Sequence, residues 1–257
     1  MEGYNVFKEK IYKMIGINLS SYKERQMKRR IESLITRNSY DTYEKYFEAL
    51  TKNPKLLEEF VNYLTINVSE FYRNPQQWNT LEKEVFPELL KNKKRLKIWS
   101  AACSTGEEPY SLVMLLTKFL PIHEINIIAT DIDKGALAKA NMGIYSKKSL
   151  DNLPIEFINK YFEKISESYK ISDEIKKRIS FKQHNLLEDK YPDDCDLIIC
   201  RNVMIYFTEE TKAEMYHKFY KSLNNNGILF VGSTEQIILP HRYKLAPIKT
   251  FFYTKMF

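Results

Sequence analysis

A turn of small residues crowded by carboxylates, Trp99-Ser100-Ala101-Ala102-Cys103-Ser104-Thr105-Gly106-Glu107-Glu108-Pro109-Tyr110, is the part of this chain best suited to hold a ligand. It follows the strand-like stretch 95–98 and leads into an apolar helical pattern at Leu112, Leu115, Leu116 and Phe119. A strand, a tight turn and a helix open the nucleotide-type sites of α/β folds. Ala102, Ser104 and Gly106 take the alternate positions where such turns carry glycines. Small side chains let backbone approach a ligand closely, and the helix start offers unpaired N–H groups. No GK[ST] follows, and Glu107 with Glu108 would repel a triphosphate. They suit a cationic, ribose-bearing ligand instead, and S-adenosylmethionine has that chemistry.

The run Thr130-Asp131-Ile132-Asp133 stands roughly 20 residues beyond the turn, where an acidic side chain at a strand's carboxyl end accepts hydrogen bonds from ribose hydroxyls. Asp131 is the candidate for that role, and Asp133 fits the cap of the next helix. A later strand ends in Cys200-Arg201-Asn202-Val203-Met204-Ile205-Tyr206, expected beside the first turn. Amine methylases of nucleic acids often place an Asn/Asp-Pro-Pro-aromatic loop here, and this loop has no Pro-Pro pair. A carboxylate nucleophile needs none, because with a reference pKa of about 4.3 it is already ionised at neutral pH and requires no general base. The task left to the protein is alignment of oxygen, methyl and sulfur, with water excluded. Tyr206 could orient such a carboxylate or contact the sulfonium; as a half-buried aromatic at a strand end it also has a purely structural reading. A third group lies upstream, where polar Asn67, Ser69 and Arg73 punctuate an apolar stretch; a helix terminus with a solvated arginine explains it equally well.

The elements that must position these residues fall into two textures. Residues 1–72 are helical in pattern and form a first domain. Ser21 with Glu24 three positions on reads as a capping box opening a helix through about Thr36, with Met27, Ile31, Leu34 and Ile35 as its apolar stripe. Arg25, Arg29, Arg30 and Arg37 fall away from that stripe. Further helices fit 42–50, 55–64 and 77–90, the last within a linker, 73–95, that ends in the charge run Lys91-Asn92-Lys93-Lys94-Arg95. Beyond it, over 96–257, the apolar runs 96–101, 125–131, 179–184, 195–200 and 227–232 read as buried strands, with helical patterns at 106–120, 134–141 and 209–223. The alternation predicts an α/β fold with a doubly wound, mostly parallel sheet. The stretch 243–257 has no room for a crossover helix and predicts a terminal antiparallel hairpin. Residues 143–178, polar and with the strand-like Ser168-Tyr169-Lys170-Ile171, interrupt the pattern as an inserted subdomain.

Composition narrows the function classes. With 44% hydrophobic and 28% charged residues the chain is ordinary for a soluble globular protein. Its start lacks the apolar core of a signal peptide, and its longest apolar stretch, 112–122, is too short to span a bilayer and is broken by Lys118. Cys103, Cys195 and Cys200 form neither a disulfide framework nor a metal pattern. A cytoplasmic protein without a metal or membrane insertion is expected. The net charge of +7 is spread along the chain, with 12 basic against 10 acidic residues over 1–72 and 28 against 23 beyond, unlike the concentrated footprint of a dedicated nucleic-acid binder.

The three blocks, in this order and over nearly the whole chain, resemble the CheR-type chemotaxis receptor methyltransferases; Ser104–Ser111 and Cys200–Phe207 are close to family signatures. The resemblance implies a small helical N-terminal domain followed by a Rossmann-like, S-adenosylmethionine-dependent domain carrying a small antiparallel insertion. It implies methyl esterification of glutamate side chains in the cytoplasmic helical bundle of a chemoreceptor, a methyl-accepting chemotaxis protein, leaving S-adenosylhomocysteine. Carried over by motif, the cofactor contacts fall on Asn67, Ser69, Arg73, Glu108, Asp131, Asn185, Leu186, Arg201 and Asn202. Arg73 and Tyr206 match the positions nearest the transferred methyl. Ser69 stands where many relatives have Thr, keeping the hydroxyl. The insertion is the least family-like part, and in some relatives it docks a peptide at the receptor's C-terminus. Arg25, Arg29, Arg30 and Arg37 then become candidates for steering an acidic receptor bundle onto the domain. A monomer is expected. Two other readings compete: an inactive cofactor-binding sensor or scaffold, and an RNA methyltransferase resting on the basic segments 91–97 and 176–178.

Overall fold

The computed structural model describes residues 2–91 and 93–256, and it divides into two compact units, 1–67 with 206–213, and 68–205 with 214–257. Asn92, within the basic run before the first strand, lies outside the described residues.

The first unit is helical. Helices α1 (Tyr4–Ile15), α2 (Glu24–Arg37), α3 (Tyr43–Lys52) and α4 (Pro54–Thr65) pack around Phe7, Tyr43, Tyr46 and Phe60, all fully buried or nearly so. Phe7 and Tyr46 each meet Phe60 at ring-centroid distances of 6.0 Å. Thr42 caps α3 through the Lys45 N–H, and Asn53 caps α4 ahead of Pro54, a proline suited to the first helical position. The stripe Met27, Ile31, Leu34 and Ile35 is buried. The capping box expected at Ser21 and Glu24 does not form: α2 starts from Lys23 with no side-chain cap. Backbone pairing accounts for the difference. The Lys23 N–H donates to the Tyr206 carbonyl at 2.9 Å and the Thr208 N–H to the Ser21 carbonyl at 3.0 Å, so the chain before α2 is drawn into an antiparallel bridge, Tyr22 to Phe207, instead of folding back to cap.

The second unit opens with α5 (Pro75–Thr80), a π-helical turn Leu81–Val85 and α6 (Phe86–Leu90). The wide turn precedes Pro87, which cannot donate to the carbonyl one turn back, and the Phe86 N–H reaches the Leu81 carbonyl instead. The strands and helices that follow are β1 (Ile98–Ala101), α7 (Glu107–Leu116), β2 (Ile127–Asp131), α8 (Lys134–Met142), β3 (Ile144–Ser146), α9 (Ile155–Tyr161), β4 (Phe162–Ile165), β5 (Ser168–Ile171), α10 (Asp173–Lys176), β6 (Ile179–Gln183), β7 (Cys195–Cys200), α11 (Glu209–Ser222), β8 (Leu223–Val231), β9 (Leu245–Lys249) and β10 (Phe252–Lys255). Their sheet has the order β6-β2-β1-β7-β8-β10-β9, parallel from β6 to β8 and antiparallel at β10 and β9. The strand order reverses beside β1, which makes the carboxyl ends of β1 and β7 the crevice in which open α/β sheets bind ligands. The hairpin and the insertion both form where the sequence pattern breaks, the insertion as a three-stranded antiparallel sheet, β3-β5-β4.

Every side chain of β1 and β7 is buried, and α7 is buried almost all round. The insertion covers the face of α7 that a surface helix would show to water: Tyr145, Phe157 and Tyr161 join the same core, and the Tyr161 hydroxyl bonds Thr117 at 3.1 Å. Phe71 packs edge-on against Tyr145, with centroids 4.8 Å apart, which ties the segment before α5 to the insertion.

Candidate active site

The turn after β1 is held in an unusual backbone path. Ala102, Ser104 and Gly106 have φ of 63°, 48° and 95°, all left-handed, and only one of them is glycine. At Gly106 a Cβ would stand 2.9 Å from Ala140 Cβ, so the position needs both the freedom and the small size of glycine. Three bonds fix the turn: the Cys103 N–H to the Thr130 carbonyl at 2.9 Å, the Ser104 N–H to Asp131 Oδ2 at 2.7 Å, and the Tyr145 hydroxyl to the Thr105 carbonyl at 2.8 Å.

Asp131 is buried at the end of β2, and its other oxygen accepts the Asp133 N–H at 3.0 Å. An ionised carboxylate offers about four lone-pair sites, so both oxygens keep capacity for hydroxyl donors. Burial pushes its pKa up to about 6 against the pull of those backbone N–H groups. Asp133 caps α8 through the Gly135 and Ala136 N–H groups, as its spacing predicts.

Arg201, at the end of β7, is the hub of the site. Its side chain is 2% exposed and makes an ion pair with Glu108 at 3.3 Å. Its Nη2 donates to the Arg73 carbonyl at 2.8 Å, Asn74 Oδ1 at 3.1 Å and Gln77 Oε1 at 2.8 Å. The guanidinium also lies 4.8 Å from the Phe230 ring centroid. Glu108 accepts from the Ser100 hydroxyl at 2.8 Å; burial raises its pKa while Arg201 opposes the rise. Glu107 is buried beside it, takes the Thr105 hydroxyl at 2.6 Å and a bond from Ser69, and is raised by burial.

Sequence reasoning missed Glu235. This buried carboxylate accepts the Asn202 N–H at 2.6 Å and the Gly232 N–H at 2.9 Å on one oxygen and the Ile205 N–H at 3.2 Å on the other, so it builds the loop after β7. Asn202 itself has φ 60° and is half-buried. The available signal was an acidic residue a few positions past the carboxyl end of a buried parallel strand, the same signal that marked Asp131.

The other expected residues are distributed as follows. Arg73 is half-buried, and its Nη1 turns back to the Val68 carbonyl at 3.1 Å. Asn185 accepts the Leu187 N–H at 3.0 Å after β6, and Leu186 is buried, its carbonyl taking the Tyr191 hydroxyl at 2.8 Å. Asn67 and Tyr206 belong to the helical unit, where Asn67 donates to Thr65 Oγ1 at 3.1 Å and the Tyr206 carbonyl meets Lys23. Of the four arginines on α2, Arg30 bonds the Tyr63 carbonyl and stacks 4.6 Å from its ring, and Arg37 pairs with Glu59 at 2.7 Å. Arg25 and Arg29 are exposed. Among the described residues no group of three or more His, Cys, Asp or Glu side chains could hold a metal ion, and no helix is long and apolar enough to cross a membrane.

A seven-stranded sheet of this order, with an acidic turn after its first strand and a buried carboxylate closing its second, defines an open α/β domain of the S-adenosylmethionine-dependent methyltransferase class. More narrowly, the chain belongs to the CheR methyltransferase family: the model of its all-alpha domain matches residues 2–65 and that of its SAM binding domain residues 67–252. It is 43% identical over 98% of its length to a chemotaxis protein methyltransferase of Listeria monocytogenes, covering 97% of that protein. It is 35% identical to chemotaxis protein methyltransferase 2 of Vibrio cholerae, over 90% of this chain and 84% of that one. With a chemotaxis protein methyltransferase of Borreliella burgdorferi the identity is 32%, over 91% and 90%.

Proposed function

We propose that this protein transfers a methyl group from S-adenosylmethionine to glutamate side-chain carboxylates of chemoreceptors, forming methyl esters in chemotactic adaptation. The observation that carries the reading is the convergence of the three motif blocks on Arg201, which joins Glu108, the Arg73 carbonyl and Asn74. A residue buried this deeply and bonded to this many partners holds the walls of a crevice in one arrangement, as an alignment-limited reaction requires. The carboxylates fit the cofactor. Asp131 has acceptor capacity left for ribose hydroxyls, and of the turn's two carboxylates Glu107 is paired with no cation among the described residues, whereas Glu108 is committed to Arg201.

When bound, the cofactor supplies an electrophilic methyl on a positively charged sulfur. The chain's part is to bind, orient and exclude water. Asp131 holds the turn and would hold the ribose, Glu235 shapes the loop of Asn202, and Arg73 and Tyr206, each carried over by motif, are the candidates to orient the incoming glutamate. A glutamate carboxylate is already ionised at neutral pH, so the residues around it would have no proton to remove and only its position to fix. Purified protein with methyl-labelled cofactor and receptor-bearing membranes should label the receptor with a base-labile ester that releases methanol. Label that survives base would overturn the reading.

A further inference from the structure

Arg95 and Lys97 from the first basic segment and Lys177 and Arg178 from the second, far apart in sequence, meet at the amino-terminal edge of the parallel sheet. There a cleft of about 480 Å³ opens between the entries to β1, β2 and β6. Arg95 and Lys97 line one wall, Lys177 and Arg178 the other, and Leu96, Ile98, Ile127 and Ile179 supply apolar surface between them. The volume lies within the roughly 300–1,000 Å³ of small-molecule sites.

Of its two acidic side chains, Asp196 is spent inside the protein. It pairs with Lys93, accepts the Lys97 N–H at 2.7 Å and takes the Asn224 amide. Glu124 is half-buried at the margin, 4.0 Å from His123. The four lining cations form no ion pair among the described residues; Arg178 gives Nη1 to the His123 carbonyl at 3.3 Å, and its Nε is buried with no hydrogen-bond partner. Since β1, β2 and β6 are neighbours at about 4.8 Å spacing, the cationic walls stand roughly 10 Å apart, a gap that a short polyphosphate can bridge. Arginine and lysine on facing walls, with apolar surface between, suit phosphate oxygens at one end of a ligand and a flat organic body at the other.

We propose that this cleft binds a diphosphate or triphosphate group, carried by a nucleotide or free. It lies at the end of the sheet opposite the carboxyl-end crevice, about 13 Å away along a strand of four residues, so occupancy of the two is not mutually exclusive. The test is calorimetric titration of the full chain at low salt with pyrophosphate and with ATP, beside the variant K97E/K177E, whose two sites are exposed. Expected is saturable binding that falls at least tenfold in the variant and weakens with added salt, while affinity for S-adenosylmethionine stays within twofold. Equal affinity for both probes assigns the site to phosphate alone, and tighter ATP assigns it to a nucleotide. No saturable binding, binding untouched in the variant, displacement of S-adenosylmethionine by ATP, or preferential binding of transfer RNA would each overturn the proposal. Cofactor affinity is read separately, so that outcome leaves the methyltransferase reading standing.

Discussion

Asp131 is a carboxylate committed to structure and proposed for a ligand as well. Its two oxygens already hold the backbone at Ser104 and Asp133, and burial raises its pKa to about 6. A carboxyl whose folded pKa lies above its ordinary 3.8 favours the protonated folded state, so its contribution to stability falls as pH rises from 3.8 to about 6 and is level above that. Ribose hydroxyls donate best to the ionised form, so cofactor binding runs the other way. Calorimetry across pH 5 to 8 should show affinity for S-adenosylmethionine weakening by up to roughly tenfold per pH unit below about 6. In Asp131→Asn the affinity should be weaker throughout and lose that inflection. A profile with the same inflection in the variant would assign the titration to another group.

At the level of elements, the turn after β1 is set by what surrounds it. Ala102 and Ser104 adopt left-handed backbone without being glycine, a conformation that costs of order 1–3 kcal/mol unless the surroundings impose it. Asp131 and Tyr145 impose it, from β2 and β3. Gly106→Ala should therefore lower stability by about 1–3 kcal/mol in chemical denaturation and weaken cofactor affinity, because φ 95° is strained for alanine and Ala140 blocks its Cβ. An unchanged midpoint would mean that α8 yields. The sequence made the apolar strands, their mostly parallel pairing and the terminal hairpin legible, since buried strands read as apolar runs and a short tail leaves no other return. Asp133 as a cap was legible for the same local reason. The stretch expected as a buried strand at 179–184 is instead the sheet's edge strand β6, with Ser180, Lys182 and Gln183 exposed. Ser21 and Glu24 misled because a segment nearly two hundred residues away pairs with that backbone. The insertion's grip on Thr105 was invisible because it acts through a contact distant in sequence, and Glu235 offered only its place past a strand end, with nothing local to say that it holds the loop of Asn202.

For the molecule as a whole, the net charge of +7 says less than where its cations are committed. The four arginines of α2 are alike in sequence and unlike in the folded unit. Arg30 is bound to Tyr63 and serves packing between α2 and α4, Arg37 shares its charge with Glu59 in an exposed pair, and Arg25 and Arg29 face solvent. The proposed steering of an acidic receptor bundle therefore falls on Arg25 and Arg29, with Arg30 contributing to the unit's stability through Tyr63. Exposed charges act on encounter and are screened within about 10 Å at 0.1 M salt. The double variant Arg25→Glu/Arg29→Glu should keep its melting temperature and cofactor affinity, lose roughly tenfold in kcat/KM toward receptor at low salt, and converge on the wild type as salt is raised. Arg30→Ala should do the reverse, lowering stability by about 1–2 kcal/mol through the lost Tyr63 carbonyl bond and ring contact, with a small and salt-independent effect on receptor methylation. If both variants instead lowered the rate equally and independently of salt, α2 would act as a rigid surface and not as an electrostatic guide.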